Sequence, residues 1–221
     1  MKPIQDFRLT CCRLMQEHPL IEYRVSREEN APQKLYVLLI GYGSRMEVLL
    51  HEVMTQGQLL DTDLDITVVN TNAKGTYESL LKRAPYLPHF VRILVDFQSM
   101  SEPEEKDRLC TLRFDTASFT PETVPQILEE RIECNYILIS TGDSEKNRIL
   151  AESAAQSPSE QKRFIGYIQK KGDGDVEFSS PMSEVRGFYA QREDAYRQQL
   201  ERVALNLHCL YSKHQNERAR Y

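Results

Sequence analysis

The central part of the chain carries two hydrophobic patterns that follow one another directly. Residues Leu35–Ile40 are continuously apolar, which is typical of a β-strand that is buried on both faces. The sequence Gly41-Tyr42-Gly43 ends this run. Apolar residues then recur at helical spacing, at Met46, Leu49, Leu50, Val53 and Met54. A second strand pattern follows at Asp65–Asn70, so the order predicts a strand, a glycine turn, a helix and a parallel strand.

The same alternation resumes after a less regular stretch. We expect that stretch, residues 71–109, to be an insertion that contains a helix at Thr76–Arg83 and a strand at Phe90–Phe97. Strand and helix patterns then alternate at Thr111–Phe114, Val124–Ile132, Tyr136–Ser140, Ser144–Gln156 and Phe164–Gln169. This alternation predicts a Rossmann-like, doubly wound α/β fold, in which helices cover both faces of a mainly parallel sheet.

The two ends of the chain lie outside this alternation. Residues 4–16 have apolar positions at helical spacing and predict an added N-terminal helix, followed by a polar linker. Residues 190–213 predict a long C-terminal helix, whose apolar residues step by four and three positions. This seam favours packing within the chain over a coiled coil, and both stay open. The predicted organisation is therefore an N-terminal helix and linker at 1–33, a Rossmann-like domain at 34–170 and a C-terminal extension at 171–221.

The composition of the 221-residue chain argues against several classes of protein. Its net charge is -5 and it has no long basic run, so nucleic-acid binding is not expected. Its longest apolar run, Leu35–Ile40, is far shorter than the roughly 20 residues of a membrane-spanning helix. Asp6, Arg8 and Arg13 interrupt any signal-peptide core, so we expect a cytoplasmic protein without direct membrane insertion. Its cysteines and histidines lack zinc-ligand spacing, so no metal is expected.

Ligands of open α/β sheets bind beyond the carboxyl ends of the strands, and four such ends can be identified in this sequence. The first, Gly41–Arg45, is the candidate phosphate site. Gly41 allows a tight turn, Gly43 allows a ligand to approach the backbone, and the following helix offers free N–H groups. Ser44 adds a hydroxyl group and Arg45 a positive charge. A glycine turn that only connects strand to helix explains the same residues, so both interpretations stay open.

Several residues separate this region from the common dinucleotide-binding sequence. Met46 stands where the third glycine of G-x-G-x-x-G is expected, and Asn70 stands where an acidic residue grips the ribose hydroxyls. Asn70, Thr71 and Asn72 can still form hydrogen bonds with a hydroxyl group, but without charge. Glu47, in the first helical turn, favours the helix dipole and repels an anion. NAD is therefore a possible ligand that the sequence does not require.

The remaining two strand ends carry small polar residues. Asp115 and Thr116 are candidates for contact with a base or its ribose, although both residue types also cap helices and turns. Thr141 and Gly142 precede Asp143, which has a capping explanation too; Gly142 is not needed for a cap and suggests close backbone approach or a positive φ. The sequence has no G-x-S-x-G elbow, G-K-[ST] phosphate loop or H-E-x-x-H pair, so no catalytic residue is predicted.

Three segments together resemble the TrkA-N type of Rossmann domain, which is found in regulators of potassium conductance and transport. The first is Leu38–Gly43 followed by an apolar helix, and the second is Arg113–Ala117, which is similar to the family's G-D-A-T segment. The third and most specific is Ile139–Asn147, which is similar to a strand followed by T-G-D-D-E-x-N at the start of a helix. The resemblance implies a domain that binds NAD(H) or an adenine nucleotide as a regulatory ligand and often dimerises.

The resemblance also implies positions for individual residues. Gly41 and Gly43 would face the phosphates, and Asn70 would occupy the position that reads the ribose. Asp115 and Thr116 would lie near the adenosine. Thr141 and Gly142 would border the same crevice.

These observations lead to one expected function and two alternatives. We expect a non-catalytic, nucleotide-binding regulatory domain that forms a homo-oligomer. The first alternative is a degenerate Rossmann scaffold for oligomerisation or protein interaction, in which Tyr42 or Met46 blocks the crevice. The second and least supported is an NAD(P)-dependent oxidoreductase, for which the sequence offers no proton donor that can be placed beside a nicotinamide.

Overall fold

A computed structural model describes residues 2–25, 33–59, 61–105, 108–131, 133–157, 162–170 and 176–181, and their side chains from residue 7 onward. All of these residues belong to one unit, which ends at residue 182. The predicted C-terminal helix at residues 190–213 lies outside the described residues, as does most of the predicted linker before the first strand.

The described chain alternates between helices and strands, as the hydrophobic pattern predicts. The helices are α1 (Lys2–Glu17), α2 (Ser44–Gln56), α3 (Ala73–Arg83), α4 (Thr123–Glu130) and α5 (Ser144–Gln156). The strands are β1 (Gln33–Ile40), β2 (Thr62–Asn70), β3 (Val91–Val95), β4 (Gln98–Ser101), β5 (Cys110–Thr116), β6 (Tyr136–Ile139), β7 (Phe164–Lys170) and β8 (Val176–Ser179). Two short 3-10 helices, Leu20–Tyr23 and Leu87–His89, precede β1 and β3.

The strands form a single mixed sheet in the order β4-β3-β5-β2-β1-β6-β7-β8. The six inner strands, from β3 to β7 in this order, run parallel to one another. The edge strands β4 and β8 pair antiparallel with β3 and β7. The series β5-β2-β1-β6-β7 corresponds to the first five strands of a Rossmann sheet, in which the chain builds outward on one side of its first strand and then on the other. The predicted Rossmann-like, mainly parallel α/β fold is therefore confirmed.

The central strand β1 is apolar on both faces because helices cover both faces. Leu35, Val37 and Leu39 contribute to the core beneath α1, α2 and α3. Leu38 and Ile40 contribute to a second core beneath α4 and α5. Full burial of such a side chain is worth about 1.5–3 kcal/mol relative to exposure, so β1 stabilises both layers.

The predicted N-terminal helix packs on the outside of α2. The Arg8 guanidinium donates to the Glu52 carboxylate of α2 over 2.6 Å, and Glu52 is itself buried. The ring of Phe7 lies 5.9 Å from the ring of Phe178 in β8, measured between centroids. Helix α1 therefore contacts both α2 and the edge strand β8. Because β8 pairs with β7, the sheet itself continues past residue 170.

The stretch between β2 and β5 adds α3 and a β-hairpin to the Rossmann pattern. Strand β3 pairs with β5 rather than with β2, so β5 is inserted between the two strands that precede it. The single strand predicted at Phe90–Phe97 is wrong at its end, because the chain turns at Asp96 and Phe97 and returns as β4. Both turn residues have positive φ, 44° and 67°, a region that residues other than glycine adopt only at a cost.

Candidate functional site

The carboxyl ends of β1, β2, β5 and β6 meet at one edge of the sheet. These ends surround the switch point of the sheet, where the strand order reverses. The chain continues from β1 to β2 on one side, and β6 lies on the other side of β1. A cavity of about 390 Å³ opens at this edge, within the roughly 300–1,000 Å³ that is common for small-molecule sites. Its lining consists of Tyr42, Asn70, Thr71, Ser118, Phe119, Thr120, Thr141, Asp143 and Lys146.

The two glycines of the first strand end have different structural roles. Gly41 has a φ of +91°, and a Cβ atom there would lie 2.4 Å from the carbonyl oxygen of Ser140. Gly41 is therefore required by the close approach of the β1 and β6 ends. Gly43 has an extended backbone with a φ of 171°, and a Cβ atom there would meet no atom within 4 Å. The space beside Gly43 is therefore open, as a ligand that approaches the backbone requires.

Helix α2 begins directly after Gly43 without a side-chain cap. The first backbone hydrogen bond of the helix runs from the N–H of Glu47 to the carbonyl of Gly43 over 3.0 Å. The N–H groups of Ser44, Arg45 and Met46 precede that bond and have no acceptor among the described residues. This end of α2 therefore offers several donors and the positive end of the helix dipole.

The two residues that depart from the dinucleotide pattern near this turn do not obstruct it. Met46 is fully buried and packs in the core beneath α2, away from the crevice, so it does not block the cavity. The carboxylate of Glu47 forms an ion pair with the Arg83 guanidinium of α3 over 2.7 Å. Its negative charge is thus largely compensated within the protein, and its expected repulsion of an anion is weakened.

Tyr42 lies between the two glycines and forms part of the cavity wall. Burial, supported by the nearby Glu47 carboxylate, raises the pKa of the Tyr42 phenol to about 12. The Tyr42 side chain therefore stays a neutral phenol at physiological pH. Its role at the wall is that of a hydrogen-bonding and apolar surface rather than of a base.

The residues after β2 are mostly engaged with the start of α3. The Asn70 amide nitrogen donates to the Thr76 hydroxyl over 2.7 Å, and its oxygen accepts from the Thr71 N–H over 2.9 Å. The Asn72 side chain accepts from the Gly75 N–H over 2.8 Å and caps α3. Asn70 and Thr71 line the cavity, whereas Asn72 has a structural role at the helix start.

The two predicted contacts after β5 are bound to other parts of the protein. The Asp115 carboxylate accepts from the Arg131 guanidinium over 2.5 Å, and both side chains are largely buried. The Thr116 hydroxyl and N–H donate to the two oxygens of Asp96, over 3.0 Å and 2.7 Å. Asp115 and Thr116 lie at the same sheet edge as the cavity but do not line it.

The segment after β6 is organised by a buried asparagine. The Asn147 oxygen accepts from both the N–H and the hydroxyl of Thr141, over 2.8 Å and 2.7 Å, and its nitrogen donates to the carbonyl of Ile168 over 2.9 Å. Gly142 has a φ of +93°, which confirms its predicted conformation. The Asp143 side chain accepts from the Lys146 N–H and caps α5. The T-G-D motif thus has a structural explanation, while Thr141 and Asp143 also line the cavity.

Phe119 and Lys146 line the cavity and are not among the residues that the sequence predicts. Phe119 comes from the loop between β5 and α4, and Lys146 is in the first turn of α5. The Lys146 ammonium lies 4.8 Å from the centroid of the Phe119 ring. A positive side chain at a helix N-terminus opposes the helix dipole, and that local conflict was the available signal in the sequence. The contact itself joins distant segments and has no local pattern.

Comparison of the chain with protein-family models, curated proteins and solved structures gives no match in any of the three. The site is therefore interpreted from its own geometry. Within the part of the chain that the structure describes, no helix has the length and apolar character needed to cross a membrane. No group of three or more histidine, cysteine or acidic side chains is arranged to hold a metal among those same residues.

Proposed function

We propose that this chain is a non-catalytic, nucleotide-binding regulatory domain of the TrkA-N type, with NAD(H) or an adenine nucleotide as its ligand. One observation carries the proposal: an open cavity of about 390 Å³ lies at the switch point of the sheet, beside helix α2, which begins at Ser44 without a side-chain cap. Dinucleotides and mononucleotides both place a phosphate at such a helix start.

The lining of the cavity suits the polar parts of a nucleotide. Ser44, Arg45 and Met46 do not line the cavity but follow Tyr42, which does, at the start of α2. Their N–H groups are donors for phosphate oxygens of a ligand that reaches this helix start, and Arg45 forms no ion pair with a described residue. The hydroxyl groups of the wall suit the ribose and the edge of a base, and they belong to Thr71, Ser118, Thr120 and Thr141. Asp143 keeps one carboxylate oxygen as the helix cap and has another oxygen for a hydroxyl group.

The ionisable side chains of the wall favour binding over proton transfer. Burial keeps the pKa of Tyr42 at about 12, so its phenol does not act as a base near neutral pH. Asp143 is held in place by the N–H of Lys146, as a helix cap requires. These features support a domain that senses its ligand and leaves it chemically unchanged.

Calorimetric titration tests the proposal directly. The purified chain is titrated with NAD⁺, NADH, ATP, ADP, AMP and cyclic nucleotides, and saturable binding of at least one of them is expected. Gly43→Val serves as the site variant, because a Cβ atom at this position meets no protein atom within 4 Å and the substitution fills the open space beside α2. We expect this variant to keep its fold, by circular dichroism, and to lose the binding. The absence of binding by wild type at millimolar nucleotide would reject the proposal.

A second candidate function is a scaffold for self-assembly, and one feature favours it. The β3–β4 hairpin places the exposed Met100 on β4, the last described strand at that edge of the sheet, and Phe97, which is 85% exposed, in the turn before it. Edge strands with exposed apolar residues readily pair with another chain. Light scattering of wild type and of the Phe97→Ser variant tests this role. A wild-type oligomer that the substitution dissociates supports it, and a monomeric wild type at high concentration excludes it.

A further inference from the structure

The side chains of Lys146 and Phe119 contact each other in the cavity wall and are called the Lys146–Phe119 pair here. The capping of α5 does not explain this contact. Lys146 is the third residue of α5, where the helix dipole disfavours a positive charge. Its side chain is exposed, yet it lies over the ring of Phe119 at 4.8 Å and forms no ion pair with a described residue. The fold therefore gains little from this charge, and the charge faces the cavity.

The acidic side chains near Lys146 are already occupied. The Glu145 carboxylate pairs with Arg148 over 2.5 Å, and Arg148 also pairs with Glu152. Asp143 accepts from the backbone N–H of Lys146 rather than from its ammonium. The ammonium group of Lys146 is thus the positive charge of the cavity wall that is available to an anionic ligand.

The residues after β5, and Asn72 after β2, have few polar groups left to bind a second nucleoside. Asp115 is bound to Arg131, and Thr116 is bound to Asp96. Asn72 caps α3. The polar groups that line the cavity lie instead at the ends of β1, β2 and β6 and in the loop that carries Phe119. This distribution suits one base, one ribose and a short phosphate chain.

We propose that the cavity binds a mononucleotide, and that Lys146 leaves the ring of Phe119 to bind its phosphate while the uncovered ring stacks on the base. The inference rests on the proposed nucleotide-binding function and specifies its ligand class. Two new contacts favour this rearrangement. The Lys146 ammonium exchanges its contact with the ring for a contact with phosphate, and the base stacks on the aromatic ring. The pair is thus a latch that the ligand opens.

Substitution of Lys146 provides the first test. Lys146→Ala is expected to weaken ADP binding about ten-fold or more, because it removes a charge-assisted hydrogen bond. Lys146→Arg retains the charge and should restore most of the affinity. Lys82→Ala is the matched control, since Lys82 is an exposed lysine in the last turn of α3 and does not line the cavity. The thermal midpoint of Lys146→Ala should equal or exceed that of wild type, because the dipole conflict is removed.

A fluorescent side chain at position 119 tests the second half of the latch. The chain contains no tryptophan, so Phe119→Trp provides a single reporter in the cavity. Its emission should change saturably with ADP, with the same Kd as calorimetry, and inorganic phosphate alone should give a smaller change. Because Phe119 is buried, the Lys146 variants, which alter an exposed side chain, decide the proposal if Phe119→Trp does not fold.

The outcomes separate this inference from the proposed function. Equal ADP affinities for wild type and Lys146→Ala would overturn the role of Lys146. Binding of NAD⁺ at least ten-fold tighter than ADP would overturn the mononucleotide class and leave nucleotide binding intact. The absence of binding by every nucleotide would reject both proposals together.

Discussion

Alanine substitution at Gly41 and Gly43 compares two glycines of the same turn that the structure predicts to respond in opposite ways. Gly41 has a φ of +91°, and a Cβ atom there would lie 2.4 Å from the Ser140 carbonyl oxygen. Gly43 is extended, and a Cβ atom there would contact nothing within 4 Å. The strain should therefore fall on Gly41→Ala alone, and Gly43→Ala serves as its matched control.

The expected loss for Gly41→Ala has two parts. A side chain at positive φ costs about 1–2 kcal/mol. Relief of the contact with Ser140 requires a backbone shift, which costs a further ~1–3 kcal/mol by analogy with an overpacked core. The free energy of unfolding should then fall by about 3 kcal/mol, which for a chain of this size lowers the thermal midpoint by about 6–12 °C. For Gly43→Ala, the entropic gain and the weaker helix cap nearly offset one another, to within about 1 kcal/mol.

Urea unfolding followed by far-ultraviolet circular dichroism measures both variants against wild type. The predicted result is a clear shift of the midpoint for Gly41→Ala and almost none for Gly43→Ala, with unchanged slopes. Equal losses in the two variants, or a loss below about 1 kcal/mol for Gly41→Ala, would refute the reasoning about the turn.

Three further predictions concern buried groups away from the turn. Asn147→Ala should lower the free energy of unfolding by about 3 kcal/mol in urea unfolding, because Thr141 and a β7 carbonyl lose their buried partner; a loss below about 1 kcal/mol would contradict this. Burial lowers the pKa of His18 from its ordinary value of 6.5, so the stability that neutral His18 contributes above pH 6.5 is lost on acidification. Thermal midpoints at pH 7.5 and 5.5 should therefore differ less for His18→Phe than for wild type. An equal difference in the two proteins would contradict this. Burial raises the pKa of three thiols to about 12, so alkylation at pH 8 followed by peptide mass mapping should find them unmodified until the protein unfolds; rapid labelling in the folded protein would contradict this for Cys11, Cys110 and Cys134.

The elements that the sequence predicts correctly are those with strong local signals. The continuous apolar run of β1 requires burial on both faces, and the helical spacing after Gly43 requires a helix with one buried face. These two constraints, repeated at β6 and α5, are enough to predict a mainly parallel sheet.

The hairpin at β3 and β4 was missed because its turn lacks the usual local signal. Hairpin turns with two positive φ values normally contain glycine or asparagine, and here the positions are Asp96 and Phe97. The turn is held instead by Thr116, whose hydroxyl and N–H donate to Asp96. That contact joins residues that are far apart in the chain, so no local pattern reveals it.

The state of each candidate site residue also depends on partners distant in sequence. Asp115 has the same local sequence whether it faces a ligand or pairs with Arg131, and only the fold shows that it pairs. In the same way, the cavity acquires Phe119 and Lys146 because the loop before α4 passes beside the start of α5. Strand ends indicate where a ligand binds, and tertiary contacts determine which side chains remain available to it.

A nuclear magnetic resonance titration of the uniformly ¹⁵N-labelled chain tests the central claim of nucleotide binding at the switch point most directly. Addition of ADP should shift the amide signals of residues 42–46, 118–120 and 141–146 in a saturable manner, because these segments surround the cavity and the start of α2. Signals from the opposite end of the sheet should stay in place. The absence of shifts at millimolar ADP, ATP and NAD⁺, or shifts confined to residues away from these three segments, would contradict the claim.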